Sequence, residues 1–147
     1  MSLMYWDTSA LLKIYVPGSD SEYFLGLIAR TEQPVCTSVI GEVEILRALI
    51  RKEKAGDIRQ TAATRAMNLF TKDCAAGRIN RISCGDEMTL KARELVELAR
   101  RSRRPVMIRS LDAIHVASAL SIRAAGIVGT DVRMREVAAL AGLKVIP

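Results

Sequence analysis

Histidine is almost missing from this sequence: His115 is the only one in 147 residues. A histidine-rich zinc centre and a Ser-His-Asp triad are therefore both poorly supplied. Aromatic residues make up 4% of the chain, so the core must be largely aliphatic. The same scarcity leaves few ring platforms for stacking single-stranded bases. The three cysteines, Cys36, Cys74 and Cys84, are odd in number and widely spaced. That pattern is neither a disulfide framework nor a paired metal knuckle, and it reads as free, buried thiols. No uncharged run is longer than about ten residues, well short of the roughly 20 needed to cross a bilayer. The N-terminus lacks the basic stretch and long apolar stretch of a secretory leader, so a cytoplasmic location is expected. Met1, Ser2 and Leu3 precede a second methionine, Met4, and read as a cloning remnant with Met4 as the native start.

What remains is an apolar, basic chain. Half of its residues are hydrophobic and its formal net charge is +6. That length and apolar content suit one domain spanning 1–147. The positive charge suggests an anionic partner, nucleic acid first.

Apolar strand-like segments alternate with helical ones. "LMYW", "PVCTSV", "INRIS", "IVGT" and "LKVI" read as strands. "SEYFLGLIAR" places Phe24, Leu27 and Ile28 on one helical face. "GEVEILRALIRKEK" places Val43, Leu46 and Ile50 in an apolar stripe and stops at Gly56. A further helix is expected from Ile58 to Phe70, broken off by Gly77. Another carries Ala92, Leu95, Val96 and Ala99 at helical spacing. "LDAIHVASALSIRAA" should close at Gly126, and "MREVAALAG" aligns Met134, Val137, Ala138 and Ala141. The alternation predicts an α/β fold: a mostly parallel central sheet flanked by helices.

In such sheets ligands bind beyond the carboxyl ends of the strands. Asp7 directly follows the first strand and Asp131 follows "IVGT", so both should emerge on one edge. Asp112 lies in the first turn of "LDAIHVASAL", and Glu44 in the opening turns of the helix after the second strand. Each acid has a plainer use: a turn former for Asp7 and Asp131, a helix-dipole partner for Asp112 with Ser110 as cap, a surface ion pair with Arg47 for Glu44. Together, four carboxylates in a partly dry cleft would repel strongly and would call for protons or hard divalent cations. "GEVEILRAL" offers two glutamates. The helical wheel sets Glu42 within the apolar arc between Leu46 and Leu49, where a carboxylate needs a reason to be. Glu44 falls on the polar side near Arg47 and Arg51. The wheel leaves both open.

The blocks "YWDTSALLKIYVPGS", "TSVIGEVEILRAL", "SLDAIHVASAL" and "GTDVRMREVAALAGLKVI", in that order and spanning about residues 5 to 147, make the chain similar to PIN-domain ribonucleases. The likeness is greatest to VapC-type toxins of toxin–antitoxin pairs. The resemblance implies a PIN-like fold and a Mg²⁺- or Mn²⁺-dependent endoribonuclease. It assigns the catalytic and metal-ligand roles to Asp7, Glu44, Asp112 and Asp131, choosing Glu44 over Glu42. Thr8, Ser9 and Thr130 would support the metal shell. The implied chemistry is metal-assisted hydrolysis of RNA phosphodiesters, which needs no histidine. His115 is expected to pack or hydrogen-bond rather than act as a base. A homodimer and a small cognate antitoxin are implied partners.

An acidic cleft repels RNA unless cations surround it. "RRSRR" (residues 100–104), Arg47, Arg51, Lys52, Lys54, Lys72, Arg78 and Arg81 are the candidates; solvated helix ends explain such residues equally well. Three rival readings are an inactive PIN-like module that binds RNA or protein, a phosphatase with an aspartyl nucleophile, and a nuclease that processes RNA without acting as a toxin. The phosphatase wants an acid two residues after Asp7, where Ser9 stands.

Overall fold

Short apolar runs bounded by helices form the centre of the molecule. The computed structural model describes residues 2–147; Met1, part of the three-residue stretch before Met4, lies outside the described residues. The strands are β1 (Met4–Trp6), β2 (Val35–Ser38), β3 (Ile79–Ile82), β4 (Gly126–Val128) and β5 (Lys144–Ile146). They form one sheet in the order β3-β2-β1-β4-β5, every pairing parallel. The α/β expectation with a parallel sheet therefore holds. The helices are α1 (Thr8–Tyr15), α2 (Ser21–Ala29), α3 (Ile40–Ala55), α4 (Ala62–Ala75), α5 (Asp86–Arg101), α6 (Ser110–Ser121) and α7 (Val132–Leu140).

Strand residues alternate between the two faces. Tyr5, Cys36 and Ile127 enter one apolar layer with α5, α6 and α7. Trp6, Val35 and Val128 enter the other, with Leu11, Phe24, Ile45, Leu49 and Phe70 from α1 to α4. Both faces are thus covered at the centre of the sheet, which is why β1, β2 and β4 are buried almost throughout, whereas the edge strand β3 exposes Asn80 and Arg81. The chain builds outward from β1 to β2 and β3, then returns to the opposite side of β1 to lay down β4 and β5. The reversal falls between β1 and β4, so a crevice is expected at their carboxyl ends. Leu3 belongs to this framework: its carbonyl accepts from Ala125 N–H at 2.8 Å, and its side chain packs on the first layer.

Several helical expectations need correction. α1 was not anticipated. α4 begins at Ala62, not Ile58, and runs on to Ala75 before Gly77 at φ +75°. α6 ends at Ser121, and Gly126 instead opens β4, where an added Cβ would stand 2.7 Å from the Lys144 carbonyl. Ser110 is the first residue of α6 rather than its cap; Arg109 holds the cap position. On α5, Ala92, Leu95 and Ala99 are buried with Met88, whereas Val96 is exposed. On α3, the buried row is Gly41, Ile45 and Leu49. Val43, 70% exposed, and Leu46 and Ile50 face outward. Apolar residues cover more than half of the α3 wheel, and packing against α1 and α4 selects the i, i+4 row that periodicity alone left undecided.

Candidate active site

Asp7 is pinned where β1 stops. Its backbone N–H still donates to the Val128 carbonyl at 3.0 Å, and its side chain caps α1 by accepting from Ala10 N–H at 3.0 Å. Ser9 Oγ donates to both carboxylate oxygens, at 2.7 and 2.9 Å. The side chain is almost sealed from water, with Asp7 3% exposed. Burial pushes its pKa up to about 6, against the opposing pull of the Ser9 and Ala10 bonds.

Asp131 repeats this arrangement one strand away. It follows β4 and caps α7 by accepting from Met134 N–H at 2.9 Å. Thr130 N–H donates to Ser9 Oγ at 3.0 Å and holds this turn against the first, while Arg135 donates to the Gly129 carbonyl at 2.8 Å and braces the turn from within. Gly129 is required by the closeness of this approach. A Cβ there would lie 2.8 Å from Asp7 Cγ and 2.4 Å from Met134 Cε.

α3 and α6 bring the remaining acids. A cleft of about 510 Å³ is lined by Asp7, Thr8, Ser9, Glu44, Arg47, Ala48, Arg51, Arg109, Asp112, His115 and Asp131, among others. The four acids singled out in the sequence therefore line one cavity. Glu44, Arg47, Ala48 and Arg51 recur at helical spacing, so one face of α3 forms a wall. Glu42 is elsewhere: it pairs with Arg81 of β3 at 2.5 Å on the surface, so its placement in the apolar arc is corrected.

The acids differ in what holds them. Glu44 Oε1 lies 2.5 Å from His115 Nε2 and accepts from Thr8 Oγ1 at 2.8 Å. Burial, the largest single influence, raises its pKa; the His115 bond and charge together with the Thr8 bond outweigh it, and the net shift is downward. An ionised carboxylate can only accept, which assigns a proton to His115 Nε2. His115 is 1% exposed, and its Nδ1 lies 2.6 Å from the Tyr5 hydroxyl, a phenol that burial keeps neutral. His115 thus packs and hydrogen-bonds, and it orients Glu44. Asp112 and Asp131 share Arg109, whose Nε donates to Asp112 Oδ2 at 2.8 Å and Nη2 to Asp131 Oδ2 at 3.0 Å.

Among the basic candidates, Arg47 and Arg51 line the cleft. Arg103 and Arg104 of "RRSRR" border a different hollow with Val106 and Glu136, and Arg78 and Arg81 pair with Asp73 and Glu42. Sequence reasoning overlooked Arg109. Its one signal was the i, i+3 spacing to Asp112.

The donor set is all oxygen: four carboxylates with the Thr8 and Ser9 hydroxyls beside them. That chemistry fits a hard divalent cation and not a thiolate- or imidazole-seeking one. The Asp7 charge, buried and without a bonded side-chain cation, fits the same conclusion. Among the described residues no three of His, Cys, Asp and Glu are placed to share an ion as they stand; Arg109 bonds Asp112 and Asp131, and His115 bonds Glu44.

The sequence matches the family model for the PIN domain over residues 4–140. This chain belongs to the PIN domain family. Solved structures similar to this PIN domain agree on the fold. The crystal structure of Mycobacterium tuberculosis VapC20, described as a sarcin–ricin-loop-cleaving toxin, has a TM-score of 0.71 at 18% identity, covering 98% of this chain and 99% of that one. VapBC-1 from nontypeable Haemophilus influenzae gives 0.66 at 17% identity, with 97% and 96% covered. VapBC2 from Rickettsia felis, bound to a DNA fragment from its promoter, gives 0.67 at 14%, again covering 97% and 96%. A search of curated proteins by sequence finds no match. Among the described residues of this PIN domain, no helix is long and apolar enough to cross a membrane.

Proposed function

We propose that this PIN domain is a divalent-metal-dependent endoribonuclease and the toxin of a toxin–antitoxin pair. The observation that carries the reading is the meeting of Asp7, Glu44, Asp112 and Asp131, from four separate segments, in one cleft at the carboxyl edge of a parallel sheet. These four residues would hold the ion. Mg²⁺ or Mn²⁺ bound there supplies Lewis acidity and lowers the pKa of an attacking water.

The chain's own groups prepare the rest. Ser9 and the α1 N-terminus fix the rotamer of Asp7 before anything binds. His115 and Thr8 keep Glu44 ionised and aimed into the cleft, so it can accept a hydrogen bond from water and orient it along the line of attack. Arg47 and Arg51 rise beside Glu44 on the same helical face and offer guanidinium forks to phosphate oxygens.

RNA as substrate is supported by the likeness in fold to a sarcin–ricin-loop-cleaving toxin, and an antitoxin by the likeness in fold to a toxin–antitoxin complex from Klebsiella pneumoniae. The outward row Val43, Leu46 and Ile50 on α3 is an apolar strip of the kind that a protein partner covers. The homodimer implied by the family resemblance belongs to the same proposal.

The test is incubation of the purified chain with mixed cellular RNA, with Mg²⁺, Mn²⁺ or chelator. Cleavage should require a metal and vanish in Asp112→Asn. Intact RNA with either metal would overturn the enzymatic reading and favour an inactive binding module. Induced expression should arrest growth, with Asp112→Asn relieving it; harmless wild-type expression would remove the toxin role while leaving the nuclease.

A further inference from the structure

Arg109 stands where the proposed chemistry wants a cation. It sits just before α6, in extended backbone at φ −74° and ψ 151°, and makes no side-chain cap of its own helix. Its side chain instead folds forward over the cleft and bonds carboxylates from two elements, Asp112 on α6 and Asp131 at the start of α7. Its charge also acts on Glu44. The guanidinium engages Oδ2 of both aspartates, so one fixed positive charge neutralises an acid pair that a metal ion would otherwise have to bring together. The pair is asymmetric in exposure. The Asp112 side chain is nearly buried, whereas the Arg109 side chain is 64% exposed and can swing away without disturbing the core.

Two properties follow from elementary electrostatics. With Arg109 in place the two acids are bridged in the absence of metal, because one guanidinium bonds a carboxylate oxygen of each. With a divalent ion on the same oxygens, Arg109 becomes a like charge at close range and must leave. A guanidinium is better suited to the first task than an ammonium, since its Nε and Nη2 donors are set apart in one plane and each meets a different carboxylate.

We propose that Arg109 is an internal counter-ion that competes with the divalent metal for Asp112 and Asp131, holding the acids assembled in the metal-free chain and setting the metal concentration at which the site fills. The proposal rests on the metal-nuclease reading of the cleft and deepens it by naming what the metal displaces. It separates Arg109 from Arg47 and Arg51, which line the same cleft but form no bond to its acids.

The experiment is Mn²⁺ binding to the full chain without RNA, counted as free ion by electron paramagnetic resonance. It compares wild type, Arg109→Met, Arg109→Lys and Asp112→Asn. Arg109→Met keeps the apolar stem and removes the charge, and it should tighten Mn²⁺ binding by about tenfold, as expected when two half-exposed ion pairs no longer have to open. Arg109→Lys, which keeps the charge but loses the fork, should fall between the two. Asp112→Asn should weaken binding. If Arg109→Met binds Mn²⁺ as wild type does, or more weakly, while Asp112→Asn still loses it, the counter-ion role is overturned and the metal site stands. If wild type itself takes up no Mn²⁺, the metal reading of the cleft falls and the counter-ion role falls with it.

Discussion

Asp7 and Asp131 perform the same backbone task in different electrostatic settings. Each follows a strand at the point where the sheet order reverses, and each caps a helix by accepting from the N–H three residues on. Asp131 keeps more than a quarter of its side chain in water and has a guanidinium on one oxygen. Asp7 is sealed in and is met only by a serine hydroxyl, a backbone amide and the positive end of α1. Capping therefore does not explain Asp7. A threonine or asparagine would cap α1 as well without burying a charge. A carboxylate kept at such a position against its own desolvation marks the place where the molecule has given up stability for chemistry.

The largest effect should come from removing that charge. Asp7→Asn keeps the cap acceptor and should lower RNA cleavage on the order of a thousandfold, about 4 kcal/mol of barrier. The same variant should be more stable than wild type in chelator at neutral pH. The folded-state pKa is raised from 3.8 to about 6. Below about pH 4 both states carry the proton and the buried acid imposes no electrostatic penalty. Between about pH 4 and 6 the unfolded chain ionises while the folded one resists, so wild-type stability declines as pH rises. Above about 6 the full penalty is present, on the order of 3 kcal/mol. Urea unfolding from pH 4 to 8 should show this decline in wild type and lose it in Asp7→Asn. Asp131→Asn, whose partner is Arg109, should gain no stability. Equal pH slopes in wild type and Asp7→Asn would erase the distinction between the two caps.

The strand-end rule made the Asp7–Asp131 juxtaposition legible from sequence, because it needs only that two apolar strands be parallel neighbours. The central strands β1 and β4 were readable for the same reason: both faces are covered, so each is a short apolar run, whereas the edge strand β3 exposes Asn80 and Arg81. Helix faces were less so. α3 carries apolar residues around more than half its circumference, and nothing local says that Ile45 and Leu49, rather than Val43, Leu46 and Ile50, meet α1 and α4. α1 was hidden by its shortness: eight residues with a tyrosine and an isoleucine, lying directly behind a strand. Side-chain pairings at long range were not readable at all. The Glu42–Arg81 and Glu44–His115 pairs join residues 39 and 71 positions apart, and only the assembled sheet decides which glutamate turns inward.

Glu44 sharpens the comparison as an intermediate case. Its carboxylate is more exposed than that of Asp7, and it is held by hydrogen bonds to His115 and Thr8 where Asp131 is held by Arg109. Glu44→Gln should lower cleavage by about a hundredfold, since one oriented acceptor is lost while the other three acids remain. It should give no stability gain like that of Asp7→Asn, because it would leave His115 facing an amide. Glu42→Gln is the control: its pair with Arg81 lies in solvent and away from the cleft, so cleavage should stay within about twofold of wild type. A cleavage loss in Glu42→Gln equal to that in Glu44→Gln would mean that the inward acid was misassigned.

The smallest effects separate cations that meet RNA from the cation that meets the acids. Arg47 and Arg51 share the cleft with Arg109 but make no bond to its carboxylates, so their charge is free for a phosphate. Arg47→Ala and Arg51→Ala should each raise KM a few-fold with little change in kcat, and each should reduce the slope of log affinity against log salt by about 0.7 if it neutralises one phosphate of a single strand. Neither should change Mn²⁺ affinity, in contrast to Arg109→Met. Arg103→Ala and Arg104→Ala, which border the hollow beside Glu136, should leave both quantities unmoved. Steady-state cleavage over a series of KCl concentrations makes the distinction. A salt slope altered by Arg103→Ala but not by Arg47→Ala would place the RNA path over the hollow between the α5–α6 loop and α7 instead of along α3, and the acids of the cleft would then need another route to a scissile phosphate.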